Sequence, residues 1–125
     1  MKDVRECILY EDKDILVCHK PAGIAVQSGR VGSMDLESLL KNYIAQKKTG
    51  KIPYLAVIHR LDQPVEGVLV FALNPKAAAA LNRQMTAGEI SKTYLAVTDV
   101  KRESVLQKES TDTKEEEKVQ MICLT

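Results

Sequence analysis

The sequence contains few of the residues on which many functional classes depend. It has no tryptophan, one phenylalanine (Phe71) and four tyrosines among its 125 residues. The core must therefore consist mainly of aliphatic side chains, and a tyrosine in a polar setting stands out. Basic and acidic side chains nearly balance, at 18 and 17, so the composition alone gives little support for a nucleic-acid partner. A neutral total leaves open a local basic face.

Cysteine and histidine are also scarce, and their positions form no metal-binding pattern. The three cysteines, Cys7, Cys18 and Cys123, have neither zinc-finger nor CxxC spacing. The two histidines, His19 and His59, add no spaced ligand set to them. We therefore expect reduced cysteines packed in a core and no metal site.

Long apolar runs and an apolar leader are missing as well. No run approaches the roughly 20 residues that a membrane helix needs. The first residues, MKDVRECILYEDKD, carry charges where a signal peptide requires an apolar region. Together with the cysteine usage, these absences predict a cytoplasmic protein with no membrane partner.

Strand-like and helix-like segments alternate along the chain. CILYEDKDILVCHKP predicts two strands joined by an acidic turn. A helix is expected over about residues 34–46 with Ser33 as its N-cap, and a second in NPKAAAALNRQMTAG, capped by Asn74 and ended by Gly88. PYLAVI, ISKTYLAV and VQMICLT are further strand candidates, and GVLVFAL favours a strand buried on both faces. This order predicts an α+β fold with a mixed sheet.

A polar cluster follows one of the expected strands. His59, Arg60 and Asp62 lie in HRLD, between the apolar runs AVI and GVLVFAL. A carboxylate at a strand end suits a nucleophile or a general base. The alternative is a structural turn in which Arg60 and Asp62 form an ion pair, on an unrelated α+β scaffold. His59 alone indicates a structural role, because no serine or cysteine lies at a diagnostic spacing from it.

Tyr94 and a group of lysines each allow two interpretations. Tyr94, in KTYLAV, either packs in an aliphatic sheet or stacks on a planar ligand while its hydroxyl makes a directed hydrogen bond. Lys41, Lys47, Lys48 and Lys51 form either a solvated face or a contact for a phosphate backbone.

Three segments, taken in order, resemble the RluA-type family of RNA pseudouridine synthases. ILYEDKDILVCHKPAGIAVQSG is similar to the family's opening hairpin and Lys-Pro-Ala-Gly turn. HRLDQPVEGVLVFAL resembles its catalytic motif and the strand after it, and ISKTYLAV resembles the segment that holds its active-site tyrosine. The resemblance runs from about residue 7 to residue 98. It implies a mainly antiparallel mixed sheet with flanking helices, the pseudouridine synthase catalytic fold.

The resemblance also implies a role for individual residues. Asp62 would be the catalytic aspartate, acting as a nucleophile or as a base, and Tyr94 would stack on the uracil. Arg60 would fill the place of a flipped-out uridine, with Lys20 and Lys92 as further RNA contacts. The implied reaction needs no cofactor and no metal. It breaks the bond from ribose to the ring nitrogen of a uridine in ribosomal or transfer RNA and rejoins the base through a ring carbon.

The sequence departs from the family pattern in two places. Val65-Glu66 stands where many members have a small pair such as Thr-Ser, and Glu66 adds negative charge near an RNA site. The family's later Gly-Arg-Thr-His-Gln type of motif does not occur. We therefore expect one partial catalytic domain over residues 1–125, with a polar excursion at 99–118 and a final strand at 119–125. The alternative function is an inactive remnant that at most binds RNA or a partner chain. An apolar surface exposed where the later part of the family domain is missing predicts self-association.

Overall fold

The chain forms two compact units, Met1–Asn82 and Arg83–Thr125. The computed structural model describes residues 3–30, 32, 34–47, 52–98 and 117–123. Its helices are a short 3-10 helix (Val4–Cys7), α1 (Leu36–Lys47) and α2 (Pro75–Thr86). Its strands are β1 (Ile8–Glu11), β2 (Ile15–Lys20), β3 (Ala56–Val57), β4 (Gly67–Ala72), β5 (Lys92–Thr98) and β6 (Glu117–Cys123).

The first unit contains a four-stranded antiparallel sheet in the order β1-β2-β4-β3. Strands β2 and β4 pair along their whole length, from Ile15 opposite Ala72 to Lys20 opposite Gly67. With α1 and α2 this is the α+β arrangement that the sequence predicts. The sheet sets the position of the site, because Lys20 ends β2 beside the first residue of β4.

The hairpin of β1 and β2 is closed by the acidic turn that the sequence indicates. Asp12 Oδ1 accepts hydrogen bonds from the backbone N–H groups of Asp14 and Ile15, at 2.7 and 2.8 Å. These bonds to the charged form lower the pKa of Asp12, that from Ile15 most of all. A short polar side chain thus adds two hydrogen bonds to the backbone bond of this turn, in which the Asp12 N–H donates to the Ile15 carbonyl at 3.0 Å.

One face of the sheet and one face of α1 form the aliphatic core. From the sheet come Leu16, Cys18, Leu69 and Phe71, and from α1 come Leu36, Leu40 and Ile44. Cys7 and Cys18 are buried and free of disulfide bonds, which confirms the expected reduced thiols for these two residues. The Cys123 side chain lies outside the part that the structure describes.

Both helices begin at a capping side chain, but only one cap is at the predicted residue. Asn74 Oδ1 accepts from the N–H of Ala77 at 2.8 Å, and α2 is followed by Gly88 with a φ of 73°, as expected. Helix α1 is capped by Asp35 rather than by Ser33, which lies outside the described residues. Asp35 Oδ1 accepts from the N–H of Ser38 at 2.8 Å.

Two strand predictions are corrected by the structure. Strand β4 is buried on one face, whereas Val68 on its other face is 58% exposed. Continuous apolar sequence did not imply burial on both faces, because within the described part of the first unit the core packs against only one face of this strand. PYLAVI contributes only the short strand β3, since the chain leaves the sheet after Val57.

The second unit contains β5 and β6, which pair in parallel from Lys92 opposite Glu117 to Thr98 opposite Cys123. Alternate residues of β5 share a face: Lys92, Tyr94 and Ala96 are half-buried, whereas Leu95 and Val97 are exposed. The final strand begins two residues before the predicted position, at Glu117. The expected polar excursion falls mostly on residues 99–116, outside the described residues. No described helix is long and apolar enough to span a membrane.

Candidate active site

The HRLD motif occupies the loop between β3 and β4, and its side chains alternate in exposure. Arg60 and Asp62 are exposed, whereas Leu61 between them is half-buried against the core. A turn follows, in which the N–H of Val65 donates to the Asp62 carbonyl at 2.9 Å. Leu61 therefore fixes the middle of the motif while the two polar side chains reach solvent.

Leu61 can lie where it does because residue 67 has no side chain. A β-carbon at Gly67 would come within 2.8 Å of Leu61 Cδ1, closer than carbon atoms normally approach. Gly67 is the first residue of β4, opposite Lys20. The glycine in the family-like motif thus serves close packing of the loop against the strand.

A set of hydrogen bonds joins the Asp62 loop to the turn after β2; we call it the Gln63 clasp, formed by Lys20, Gly23 and Gln63. The Gln63 carbonyl accepts from the Gly23 N–H at 2.8 Å and from Lys20 Nζ at 3.0 Å. Gln63 Nε2 donates back to the Gly23 carbonyl at 3.0 Å. Gly23 has a φ of 96°, a backbone conformation that favours glycine. The clasp thus fixes Gln63, the residue that follows Asp62, to the turn after β2.

Lys20 has a different place from the RNA contact that the family resemblance implies. It is completely buried, and its Nζ donates to the carbonyls of Ile24, Pro21 and Gln63 at 2.7, 2.9 and 3.0 Å. An ammonium has three N–H donors, so its hydrogen-bonding capacity is used within the protein. Burial lowers the pKa of Lys20, and the Glu66 carboxylate opposes that shift. The structure gives Lys20 a positioning role instead.

The clasp is the part of the site that sequence reasoning missed. The sequence predicts a turn at Lys-Pro-Ala-Gly and assigns no role to Gln63. The only signal was the apolar strand that ends in a lysine, because a lysine within the buried register of β2 needs acceptors. Which acceptors it finds depends on a loop 43 positions away, which no local pattern reveals.

His59 has the structural role that the sequence indicates. Its Nε2 accepts a hydrogen bond from the backbone N–H of Val70 at 3.1 Å. The backbone pairing of β3 with β4 ends at Val57 and Phe71. Beyond that pair, the imidazole of His59 takes the place of a strand carbonyl as the acceptor for the Val70 N–H. A histidine that accepts this bond is held in place at the start of the motif.

The Asp62 carboxylate is left available by its surroundings. It is exposed, and within the described part of the chain it forms neither a hydrogen bond nor an ion pair. In particular, no ion pair joins Asp62 to Arg60 among these residues, so the structural-turn interpretation based on that pair is not supported. The loop holds Asp62 through the backbone and leaves its side chain free.

Glu66 lies at the other end of the loop and faces a histidine rather than Asp62. Glu66 Oε1 is 3.7 Å from His19 Nε2, and both side chains are largely accessible to water. The pair is therefore weak, and ionic only when the imidazole is protonated. Among the described residues, no group of three or more histidine, cysteine, aspartate and glutamate side chains is placed to hold a metal ion.

The remaining residues of the expected site belong to the second unit. Tyr94 and Lys92 lie on the half-buried face of β5, and both make interactions within the protein. The structure therefore brings together Lys20, Arg60 and Asp62 in the first unit. The assignment of Tyr94 and Lys92 to the same site stays a prediction.

Comparisons with known proteins identify relatives of this chain. The family model described as RNA pseudouridylate synthase matches residues 14–123. Ribosomal large subunit pseudouridine synthase D of Xanthomonas campestris is 35% identical over 96 residues, which cover 77% of this chain and 29% of that protein. Dual-specificity RNA pseudouridine synthase RluA of Yersinia pestis is 35% identical over 89 residues, covering 71% of this chain and 40% of that protein.

A solved structure shares the fold. Human RNA pseudouridylate synthase domain containing 4 superposes with a TM-score of 0.58 at 24% sequence identity, covering 69% of this chain and 31% of that one. The matched region thus spans well under half the length of each of these relatives. Because the family model covers most of the sequence, the chain belongs to the RNA pseudouridylate synthase family, in its RluA type.

Proposed function

We propose that the chain converts uridine to pseudouridine in ribosomal or transfer RNA, with Asp62 as the catalytic group and without a cofactor. The observation that carries the proposal is the Asp62 carboxylate itself. It is exposed and unpaired among the described residues, on a loop held by Leu61, by Gly67 and by the Gln63 clasp. Family membership supports the reaction type. One relative is named for the ribosomal large subunit, and another, tRNA pseudouridine synthase C of Haemophilus ducreyi, is named for transfer RNA.

The proposed chemistry is an isomerisation, so no atom is gained or lost. The bond from the ribose to the ring nitrogen breaks, the base turns, and a ring carbon forms the new bond to the ribose. Asp62 acts as a nucleophile or takes a proton, and an exposed carboxylate held by its backbone suits both routes. A rigid loop keeps the carboxylate in place without filling its hydrogen-bonding positions.

Arg60 and the β5 residues complete the proposal. Arg60 is exposed two residues before Asp62, where its guanidinium can enter the RNA and occupy the space that the flipped uridine leaves. That contact offsets part of the few kcal/mol that unstacking a base costs. Tyr94 stacks on the uracil and Lys92 contacts the phosphate backbone.

The test compares the chain with Asp62→Asn on a uridine-containing RNA transcript, with pseudouridine measured by mass spectrometry of the digested RNA. Glu66→Gln is the matched control, because it removes the same charge from the same loop. We expect Asp62→Asn to form no pseudouridine and Glu66→Gln to retain activity. A chelator such as EDTA should leave the parent rate unchanged.

Each outcome separates the proposal from its alternative. Conversion that survives Asp62→Asn would refute the role of the carboxylate. RNA binding without conversion by the parent chain would identify an RNA-binding remnant in place of an enzyme.

A further inference from the structure

A cavity of about 440 Å³ opens beside the Asp62 loop, wholly within the first unit. The turn and loop after β2 form most of its wall, from Gly23 to Arg30, and Met34 and Gln63 complete it. The volume lies in the range of about 300–1,000 Å³ that is typical of small-molecule sites. Because Gln63 directly follows Asp62, the cavity begins one residue from the proposed catalytic carboxylate.

Two glutamine side chains in the wall are held by their amide nitrogens. Gln63 Nε2 donates to the Gly23 carbonyl at 3.0 Å, and Gln27 Nε2 donates to Glu37 Oε2 at 2.6 Å. Each amide also has a carbonyl oxygen, and neither oxygen accepts a bond within the described residues. The wall therefore presents two acceptors whose orientation is already fixed, which suits a hydroxyl or a base N–H group.

Among the described residues that line the cavity, the charged side chain is Arg30. It is exposed, and it also makes an interaction within the protein that leaves others of its five N–H donors for a ligand. The carboxylates closest in sequence are already engaged: Asp35 by backbone N–H groups, and Glu37 by Gln27 and Lys41. Met34, which is 57% exposed, adds an apolar surface. An arginine, two acceptors and an apolar side chain match the phosphate, the ribose or base edge, and the base face of a nucleotide.

We propose that this cavity binds a nucleotide adjacent to the target uridine in single-stranded RNA. The inference rests on the proposed function, because the position of the cavity has meaning only relative to a uridine at Asp62. Arg30 contacts the phosphate, the Gln27 oxygen accepts from the ribose 2′-hydroxyl, and the Gln63 oxygen accepts from the base edge. The 2′-hydroxyl is the group that distinguishes RNA from DNA at such a site.

The first test measures binding without turnover. The full chain carrying Asp62→Asn is titrated with a uridine-containing single-stranded RNA oligonucleotide over a series of salt concentrations. One phosphate contact on a single strand contributes about 0.7 to the slope of log K against log salt concentration. We expect Arg30→Gln to lower the slope by about 0.7 and to weaken binding several-fold at low salt. Arg5→Gln, an exposed arginine outside the cavity, is the matched control and should keep the parent slope.

The second test locates the contact on the RNA. A single 2′-deoxy substitution is placed at each nucleotide that flanks the target uridine, and binding is measured to the Asp62→Asn chain with and without Gln27→Leu. We expect one flanking position to lose affinity several-fold with the glutamine present and to lose none with leucine. Thermal unfolding of Gln27→Leu checks that the fold is retained.

The outcomes distinguish this inference from the proposed function. Equal salt slopes for Arg30→Gln and Arg5→Gln, or a deoxy effect that does not depend on Gln27, would overturn the subsite. So would a parent chain that binds no RNA. Binding that depends on Arg30 in a chain that forms no pseudouridine supports the subsite and rejects only the catalytic proposal. Pseudouridine formation by Arg30→Gln with parent kcat and KM rejects only the subsite.

Discussion

Replacing Lys20 with methionine removes three hydrogen bonds at once while keeping most of the side chain's volume. The Lys20 ammonium is completely buried and bonds the carbonyls of Pro21, Ile24 and Gln63. Methionine can fill the same space but has no donor. The change therefore tests the clasp with little change in packing.

The expected loss follows from the carbonyls that remain. A buried acceptor that loses its partner costs about 1–3 kcal/mol. Pro21 and Ile24 are half-buried and Gln63 is exposed, so water reaches part of the cluster and the lower end applies. The Gln63 carbonyl keeps its bond from the Gly23 N–H. The Pro21 and Ile24 carbonyls, at about 1 kcal/mol each, therefore lower the free energy of unfolding by about 2 kcal/mol. That is a large fraction of the roughly 5–15 kcal/mol that stabilises a typical domain.

Urea denaturation followed by circular dichroism measures this loss. Lys76→Met, an exposed lysine on α2, is the control and should stay within about 0.5 kcal/mol of the parent. Hydrogen exchange gives a local readout: the Gly23 amide, which donates to the Gln63 carbonyl, should exchange faster in Lys20→Met. Lys20→Met with the stability of Lys76→Met and a protected Gly23 amide would refute the positioning role.

Three further predictions concern the fold around the site. Burial raises the pKa of Asp35, but the hydrogen bonds from Ser38 and Ser28 outweigh it and the folded pKa is lowered. The stabilisation from Asp35 should therefore be complete above the unfolded pKa of about 4 and disappear as the pH falls through the folded value. Urea titrations of the parent and Asp35→Asn should converge in acid, and a constant difference would contradict this. Burial, with a smaller effect of Cys7, raises the pKa of Cys18 to about 12, so iodoacetamide at pH 8 should alkylate Cys18 only after unfolding. Peptide mass spectrometry that shows equal labelling with and without urea would disagree. Gly67→Ala should cost at most about 1 kcal/mol, because the end of a leucine side chain can move. Combined with Leu61→Ala, its cost should fall, and strict additivity in urea titrations would argue against the contact between residues 67 and 61.

Local chemistry was enough to predict the elements whose signals lie within a few residues. The Asp12 turn and the Asn74 cap were recognised because their hydrogen bonds join residues that are neighbours in sequence. The family resemblance added Asp62, which local patterns alone left between a turn and an active site. The Asp62 carboxylate is exposed and has no partner among the described residues, which is consistent with an active site.

The errors arise where distant segments decide the structure. Val68 is apolar but exposed, because the described core packs against the other face of β4. Asp35 displaces Ser33 as the cap because it also bonds the backbone of Ser28, which lies seven positions away. The family resemblance implies an RNA contact for Lys20, whereas its burial depends on three carbonyls, one of which comes from another loop. Periodicity and propensity contain no information about such partners.

At Gln63 the main chain fixes the Asp62 loop, whereas the side chain lines the cavity. The bonds from the Gly23 N–H and from Lys20 Nζ both end on the main-chain oxygen of Gln63. Every amino acid has this oxygen, so neither bond requires a glutamine. The side chain contributes only the return bond to Gly23 and otherwise lines the cavity. A substitution of this side chain would therefore change the wall of the cavity while the aspartate beside it stays where it is.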